Sequence, residues 1–368
     1  MSLRAIITLV VVIVALLGCS KKKELITMDV GFNAHPIVGR GVYYDSSTQN
    51  YQLYFINNSL EQPQVFFFDL KGKKVDSITI NLNLKKNPNN IKFITKDSIL
   101  YTIGNEDKNE FYLINRSGTI LKSKSLKSSI AQKKEGHEYY LVPFRNNCYT
   151  DFSINRCATT ILFSPSDAFK LANSHLPDAV QQKELSKIQK EAAVLLSVQN
   201  LFTNHTSIEF GKNIFDERGT QITKAKVIEL KDSFYFYSPY GRDMYELDYN
   251  LNIVKKIQLL SDKERIPGEE TNNKQQKISY INYVLFDKNS QAIFAVVSID
   301  NDSYDGDNMP TSSFEIIHFD KNFQKKSSKV FDGEQYDINS VFLVKDTVLV
   351  EKRSEIFGQI IYEMYTEN

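Results

Sequence analysis

A short hairpin recurs at widely separated places in this 368-residue chain: an apolar strand, then Lys-Asp-Ser or Lys-Asp-Thr, then a second apolar strand. It occurs as Phe93–Thr102 (FITKDSILYT), Ile228–Tyr237 (IELKDSFYFY) and Phe342–Glu351 (FLVKDTVLVE), with a looser copy at Phe286–Val296 (FDKNSQAIFAV). A second hairpin also repeats, as Val65–Ile80, Phe111–Leu126, Met244–Leu259 and Phe314–Val330. Each of these runs from an aromatic-rich strand through an Asp or Asn turn into a Lys-bearing strand. Joined, as in Ile91–Leu126, the two hairpins give four short antiparallel strands, the unit of a β-propeller blade. Lysines on the fourth strand suit an outer edge, where charge discourages pairing with other chains.

Spacing gives the expected number of blades. Asp97 and Asp232 lie 135 residues apart, which fits three steps of blade-sized repeats of about 40–50 residues. One further blade fits His137–Lys170. Asp178–Val198 carries helix formers, with Val180, Leu185, Ile188, Ala192 and Leu195 near helical spacing, and reads as a helical insertion followed by a short hairpin around Ser207–Gln221. The expectation is an all-β propeller of six four-stranded blades, with seven as the alternative. The last blade lacks a good fourth strand of its own, and Glu24–Val30 (ELITMDV) is expected to supply it and close the ring. Composition agrees with strands: 20 Tyr and 24 Phe favour them, while the absence of Trp weighs against the Trp-Asp type of propeller repeat.

The N-terminus has a separate signal. Met1–Lys23 (MSLRAIITLVVVIVALLGCSKKK) places Arg4 before the apolar run Ala5–Leu17. Leu16-Leu17-Gly18-Cys19 resembles the lipobox of bacterial lipoproteins, in which the cysteine is acylated and becomes the first residue. The run is shorter than the roughly 20 residues a membrane-spanning helix needs. This divides the chain into a signal peptide (1–18), lipidated Cys19 with a Lys-rich tether (19–23) and a single propeller domain (24–368). With Lys+Arg 45 against Asp+Glu 44, no global field steers the protein to nucleic acid.

Lipobox, Lys-rich tether, early closing strand and Tyr/Phe-rich blades together resemble the six-bladed β-propeller lipoproteins of Bacteroidetes, a family of mostly unknown function. The resemblance spans Glu24 to Asn368 and brings no catalytic motif with it. In that group, surface export is associated with acidic residues soon after the cysteine. The lysines here imply instead an outer-membrane position facing the periplasm. Asp76-Ser77-Ile78, Asp97-Ser98-Ile99 and Asp346-Thr347-Val348 also resemble the group's O-glycosylation acceptors, although turn and strand-entry chemistry accounts for the same residues.

Few residues carry recognisable chemistry. Cys148 and Cys157 could form a disulfide across a hairpin in an oxidising compartment or remain two buried thiols. The five histidines are scattered, with no zinc-protease, nucleophile-elbow, phosphate-loop or dinucleotide pattern. Asp300–Asn308 (DNDSYDGDN) reads as an acidic loop, with weak calcium binding as the alternative; its Asp/Gly register is wrong for an EF-hand. No cofactor or metal is expected.

In a propeller, the loops joining second to third strands and those joining successive blades share one end. That end collects His35, Arg40, Tyr240, Arg242, Arg353 and Phe357, and Arg and Tyr are frequent binding anchors. The expected function is a lipid-anchored envelope binding or scaffold protein that engages a protein or glycan with this face. The alternative is a hydrolase or lyase acting on carbohydrate or a small ester.

Overall fold

The computed structural model describes residues 24–32, 39–57, 62–80, 90–95, 97–104, 108–127, 132–134, 137–141, 151–152, 156–165, 171, 174–177, 180–181, 183–184, 193–199, 207–210, 226–230, 233–237, 241–248, 252–261, 278–287, 289–300 and 313–366. Strand β1 (Leu25–Asp29) comes first. It is followed by β2 (Arg40–Asp45), β3 (Asn50–Asn57), β4 (Gln64–Phe68) and β5 (Lys74–Thr79), then β6 (Asn90–Thr95), β7 (Ser98–Gly104), β8 (Lys108–Ile114) and β9 (Ile120–Lys127). The middle of the chain contributes β10 (Gln132–Lys134), β11 (His137–Leu141), β12 (Asp151–Phe152), β13 (Arg156–Pro165), β14 (Ala193–Gln199) and β15 (Ser207–Phe210). The second half contains β16 (Lys226–Leu230), β17 (Ser233–Tyr237), β18 (Asp243–Leu247), β19 (Ile253–Gln258), β20 (Ile278–Phe286), β21 (Ile293–Asp300), β22 (Phe314–Phe319) and β23 (Lys325–Phe331). The last strands are β24 (Tyr336–Val344), β25 (Thr347–Lys352) and β26 (Gln359–Thr366).

The sheets make an all-β propeller with five four-stranded blades: β2–β5, β6–β9, β16–β19, β20–β23, and β24–β26 completed by β1. Among the described residues, neither six nor seven such blades are formed. Strands β10–β15 instead build a six-stranded sheet in the order β10-β11-β13-β14-β15, with β12 also paired to β13. The helical reading of Asp178–Val198 holds at positions 180–181 and 183–184 and is corrected at its C-terminal end by the same sheet. Ala193–Gln199 is strand β14, running antiparallel to β13 with Cys157 opposite Val198. Helical conformation among the described residues is limited to Leu171 and positions 180–181 and 183–184. AVLLSVQ is a short apolar run that fits either period, and the ten-residue strand beside it decides the outcome.

Each regular blade follows the two-hairpin unit. In the second blade, β6 and β7 flank Lys96-Asp97, and β8 and β9 flank Asn115–Thr119. Apolar cores lie between neighbouring blades. Tyr54, Phe67 and Ile78 of the first blade pack with Ile91, Ile99 and Tyr101 of the second. Met244 and Ile257 pack with Ala295 and Ile317, and Val296 and Phe314 pack with Val341 and Val348.

The ring closes where the chain's two ends meet. β1 pairs with β26 from Leu25 opposite Glu363 to Asp29 opposite Gln359. Its strict alternation buries Ile26 and Met28, which join Leu53, Phe55 and Phe68 of the first blade. Burying two such side chains contributes roughly 1.5–3 kcal/mol each. On the other flank, a Cβ on Gly72 would lie 2.1 Å from the Thr27 carbonyl oxygen, and Gly72 has φ of +81°. Only glycine lets the first blade's outer turn lie against the closing strand.

Candidate functional site

The strand registers place one set of loops at a common end of the ring. Arg40 opens inner strand β2, and Tyr336 and Asp337 open inner strand β24 opposite Lys352 and Glu351. The β25–β26 loop, 353–358, therefore lies beside the start of β24. Arg242 precedes β18 at the equivalent end of its blade. His35 and Tyr240 lie outside the described residues, as do Cys19, Cys148 and most of Asp300–Asn308. Cys157 is a residue of β13.

Arg40 is buried at this end, between the first and last blades. Its Nη1 donates to Glu351 Oε2, and Nη2 lies 3.5 Å from Asp337 Oδ2. β24 bulges between Asp337 and Val341, which turns the Ser340 hydroxyl back to donate to Asp337 Oδ2 at 2.9 Å. The Tyr283 hydroxyl of the neighbouring blade donates to the Ile338 carbonyl and pins the same bulge. Burial raises the Glu351 carboxyl above the usual range, against the opposing pull of Arg40 and Ser340. Burial also raises the Tyr362 phenol, which sits in the field of Arg40, Glu351 and Asp337. Arg40 Nε and the Tyr362 hydroxyl are both buried without a hydrogen-bond partner among the described residues.

This cluster is a ring fastener with its charged groups already committed. Asp337 and Glu351 converge, but both face Arg40, so neither is presented as a free acid or base. Sequence reading placed Arg40 at this end and missed the residues that engage it. The signal was a departure from the repeat: the final strand position of the Lys-Asp-Ser/Thr hairpin is Thr102, Tyr237 and then Glu351.

The remaining candidates lie nearer the surface. Arg242 Nε donates to the Ser261 carbonyl at 3.2 Å, while the Arg242 carbonyl accepts from Leu259 and Leu260 N–H groups. Arg353 is exposed and reaches the Tyr336 carbonyl with Nε at 3.5 Å. Beside it, Ile356 is 61% and Phe357 77% exposed. They project from a tightly held turn. Gln359 N–H donates to the Ile356 carbonyl, and Val30 N–H donates to the Gly358 carbonyl at 2.8 Å. Gly358 has φ of +73°, and a Cβ there would meet Gly31 Cα at 3.0 Å. Among the three Asp-Ser/Thr-aliphatic sequences, Ser77 is exposed, whereas Ser98 and Thr347 are half-buried.

The fold has solved counterparts. A member of the DUF4221 family from Bacteroides vulgatus superposes with a TM-score of 0.59 at 11% identity, covering 94% of this chain and 97% of that one. A Bacteroides fragilis protein gives a TM-score of 0.47 at 12% identity over 94% and 95% of the two chains. A streptogramin B lyase gives 0.39 at 8% identity over 93% and 98%. No family model matches the sequence, and no curated protein matches it. At these identities, the first likeness establishes the propeller fold alone.

Proposed function

We propose that the protein is a lipid-anchored binding or scaffold module of the cell envelope. Cys19 carries the acyl chains, residues 20–23 form the tether, and the outer membrane holds the domain on its periplasmic side. The loop end of the propeller engages a protein partner. The observation that carries this reading is the Ile356–Phe357 tip, two large apolar side chains 61% and 77% exposed on a turn stapled to Val30 and Gly31. An exposed aromatic on a held turn, in the same loop as exposed Arg353, has the make-up of a binding hot spot, because the backbone that presents it is already ordered. The two carboxylates that converge at the described part of this end, Asp337 and Glu351, are turned toward Arg40 and lend the enzyme alternative no support.

Two measurements test the proposal. Cys19→Ala is expected to lose acyl labelling and leave the membrane fraction; retained palmitate would overturn the anchor. A photo-crosslinking residue at position 357 is expected to trap one discrete protein adduct in intact cells, and a crosslinker at buried position 349 none. Absence of an adduct at 357 would refute the binding face.

A further inference from the structure

The opposite end of the ring has its own repeated construction. Four turns join third to outer strands, and each begins with an Asp or Asn whose side chain caps it. Asp69 Oδ1 accepts from Lys71 and Lys73 N–H at 2.9 Å each, and Asn115 Oδ1 from Thr119 N–H at 2.8 Å. Asp248 Oδ1 accepts from Asn252 N–H at 2.8 Å, and Asp320 Oδ1 from Gln324 N–H at 2.9 Å. The fourth turn residue has positive φ in Gly72 (81°), Gly118 (81°) and Phe323 (64°). This is the geometry that forces a bulge into the following strand.

The register shifts show the bulge in all four blades. The bulged residues are Val75, Leu121, Val254 and Lys326, at equivalent places on the outer rim. Val75 is 45%, Leu121 50% and Val254 63% exposed. Exposed lysines flank them, among them Lys74, Lys122 and Lys255. The turn carboxylates Asp69, Asp248 and Asp320 each commit Oδ1 to backbone donors of their own turn. Exposed carboxylates at this end are Asp97 and Asp346 of the inner hairpins and Glu24, which precedes Leu25 on the closing strand, while Asp76 beside Val75 is paired with Arg116.

Leu25, 50% exposed, starts β1 on the side toward this end, and Lys21-Lys22-Lys23 precede it in the sequence. Resting on the lipid-anchor reading, we propose that this rim is a docking surface for an anionic lipid bilayer. The aliphatic bulges enter the headgroup boundary, and the lysines meet lipid phosphates. The ring then stands on its outer turns, with the Phe357 tip directed away from the membrane.

The chain contains no Trp, so one introduced indole reports its own surroundings. Val254→Trp and Leu121→Trp in the full acylated chain are expected to be quenched by brominated phosphatidylcholine in vesicles containing phosphatidylglycerol. Phe357→Trp, at the other end, is not. Adding Lys255→Glu to Val254→Trp is expected to lower the docked-to-undocked ratio at least about fivefold, and salt to weaken docking. Equal quenching at positions 254 and 357, or none at 254 in a chain that floats with the vesicles, overturns the docking while leaving the anchor standing. A chain that does not float overturns the anchor. Docking is then read from quenching by excess anionic vesicles at low salt, and its absence there overturns it too. A concentration-dependent blue shift at 254 without bromolipid quenching would make the rim a contact between copies, also overturning the proposal.

Discussion

The Tyr51 hydroxyl donates to Asp287 Oδ2 at 2.6 Å, joining the second strand of the first blade to the turn after inner strand β20, with the last blade between them in the ring. Asp287 is buried and also accepts from Ser290 Oγ at 3.1 Å and Asn289 N–H at 3.0 Å. Together with the Arg40 cluster, this contact fastens the region around the ring closure at both ends.

Removing the hydroxyl leaves the buried carboxylate short of one donor. Tyr51→Phe is expected to cost about 1–3 kcal/mol, read as a lower urea midpoint with unchanged slope. A midpoint equal to wild type would show that Asn289 and Ser290 alone satisfy Asp287.

Burial holds several phenols in their neutral form: Tyr51, Tyr54 and Tyr235 are each pushed up to about 12. Because the folded-state values are raised, these groups contribute stability that is complete below pH 10 and lost as pH climbs toward 12. Absorbance at 295 nm is expected to show exposed tyrosines ionising near pH 10. The buried group should ionise only with the cooperative loss of near-ultraviolet circular dichroism. Complete ionisation before that loss would contradict the burial.

At the Arg40 cluster the two kinds of partner respond differently. Arg40→Leu leaves Asp337 and Glu351 facing each other and is expected to cost about 3–5 kcal/mol at pH 7. The cost should shrink as acid protonates them. The Glu351 carboxyl is raised in the fold, so the native state holds its proton longer and stability falls as pH rises through that value. Glu351→Gln is therefore expected to flatten the pH dependence of stability just above the usual carboxylate range and to destabilise far less than Arg40→Leu. Equal losses from the two variants would contradict this division.

Deleting Glu24–Val30 removes Ile26 and Met28 from the core and exposes the edge of β26. The expected loss is on the order of 3–6 kcal/mol from those two side chains alone, with self-association through the opened edge. Denaturation and size-exclusion chromatography measure both. An unaltered cooperative melt would show that β1 is an ornament of the fold.

The repeated hairpins were legible because blade construction is local: Lys345-Asp346, for one, turns β24 onto β25. The pairing of β1 with β26 was also legible, since the last blade lacked an outer strand and ELITMDV alternates. The fate of AVLLSVQ depended on β13, about 30 residues earlier in the chain, and local periodicity carries no trace of such a partner. Arg40 was placed at the correct end, yet its role depends on Asp337 and Glu351, about 300 residues away. Only Glu351, standing where the other copies carry Thr102 and Tyr237, hinted at it.

The closing strand also sets an order of events. Leu25 and its partner Glu363 are 338 positions apart, so the pairing that completes the ring is among the most non-local in the chain. A polypeptide made N-terminus first holds β1 long before β26 is complete. Throughout that interval, Ile26 and Met28 have no sheet to enter. The chain's most exposed moment thus comes during synthesis, and it ends only when the final eight-residue strand arrives.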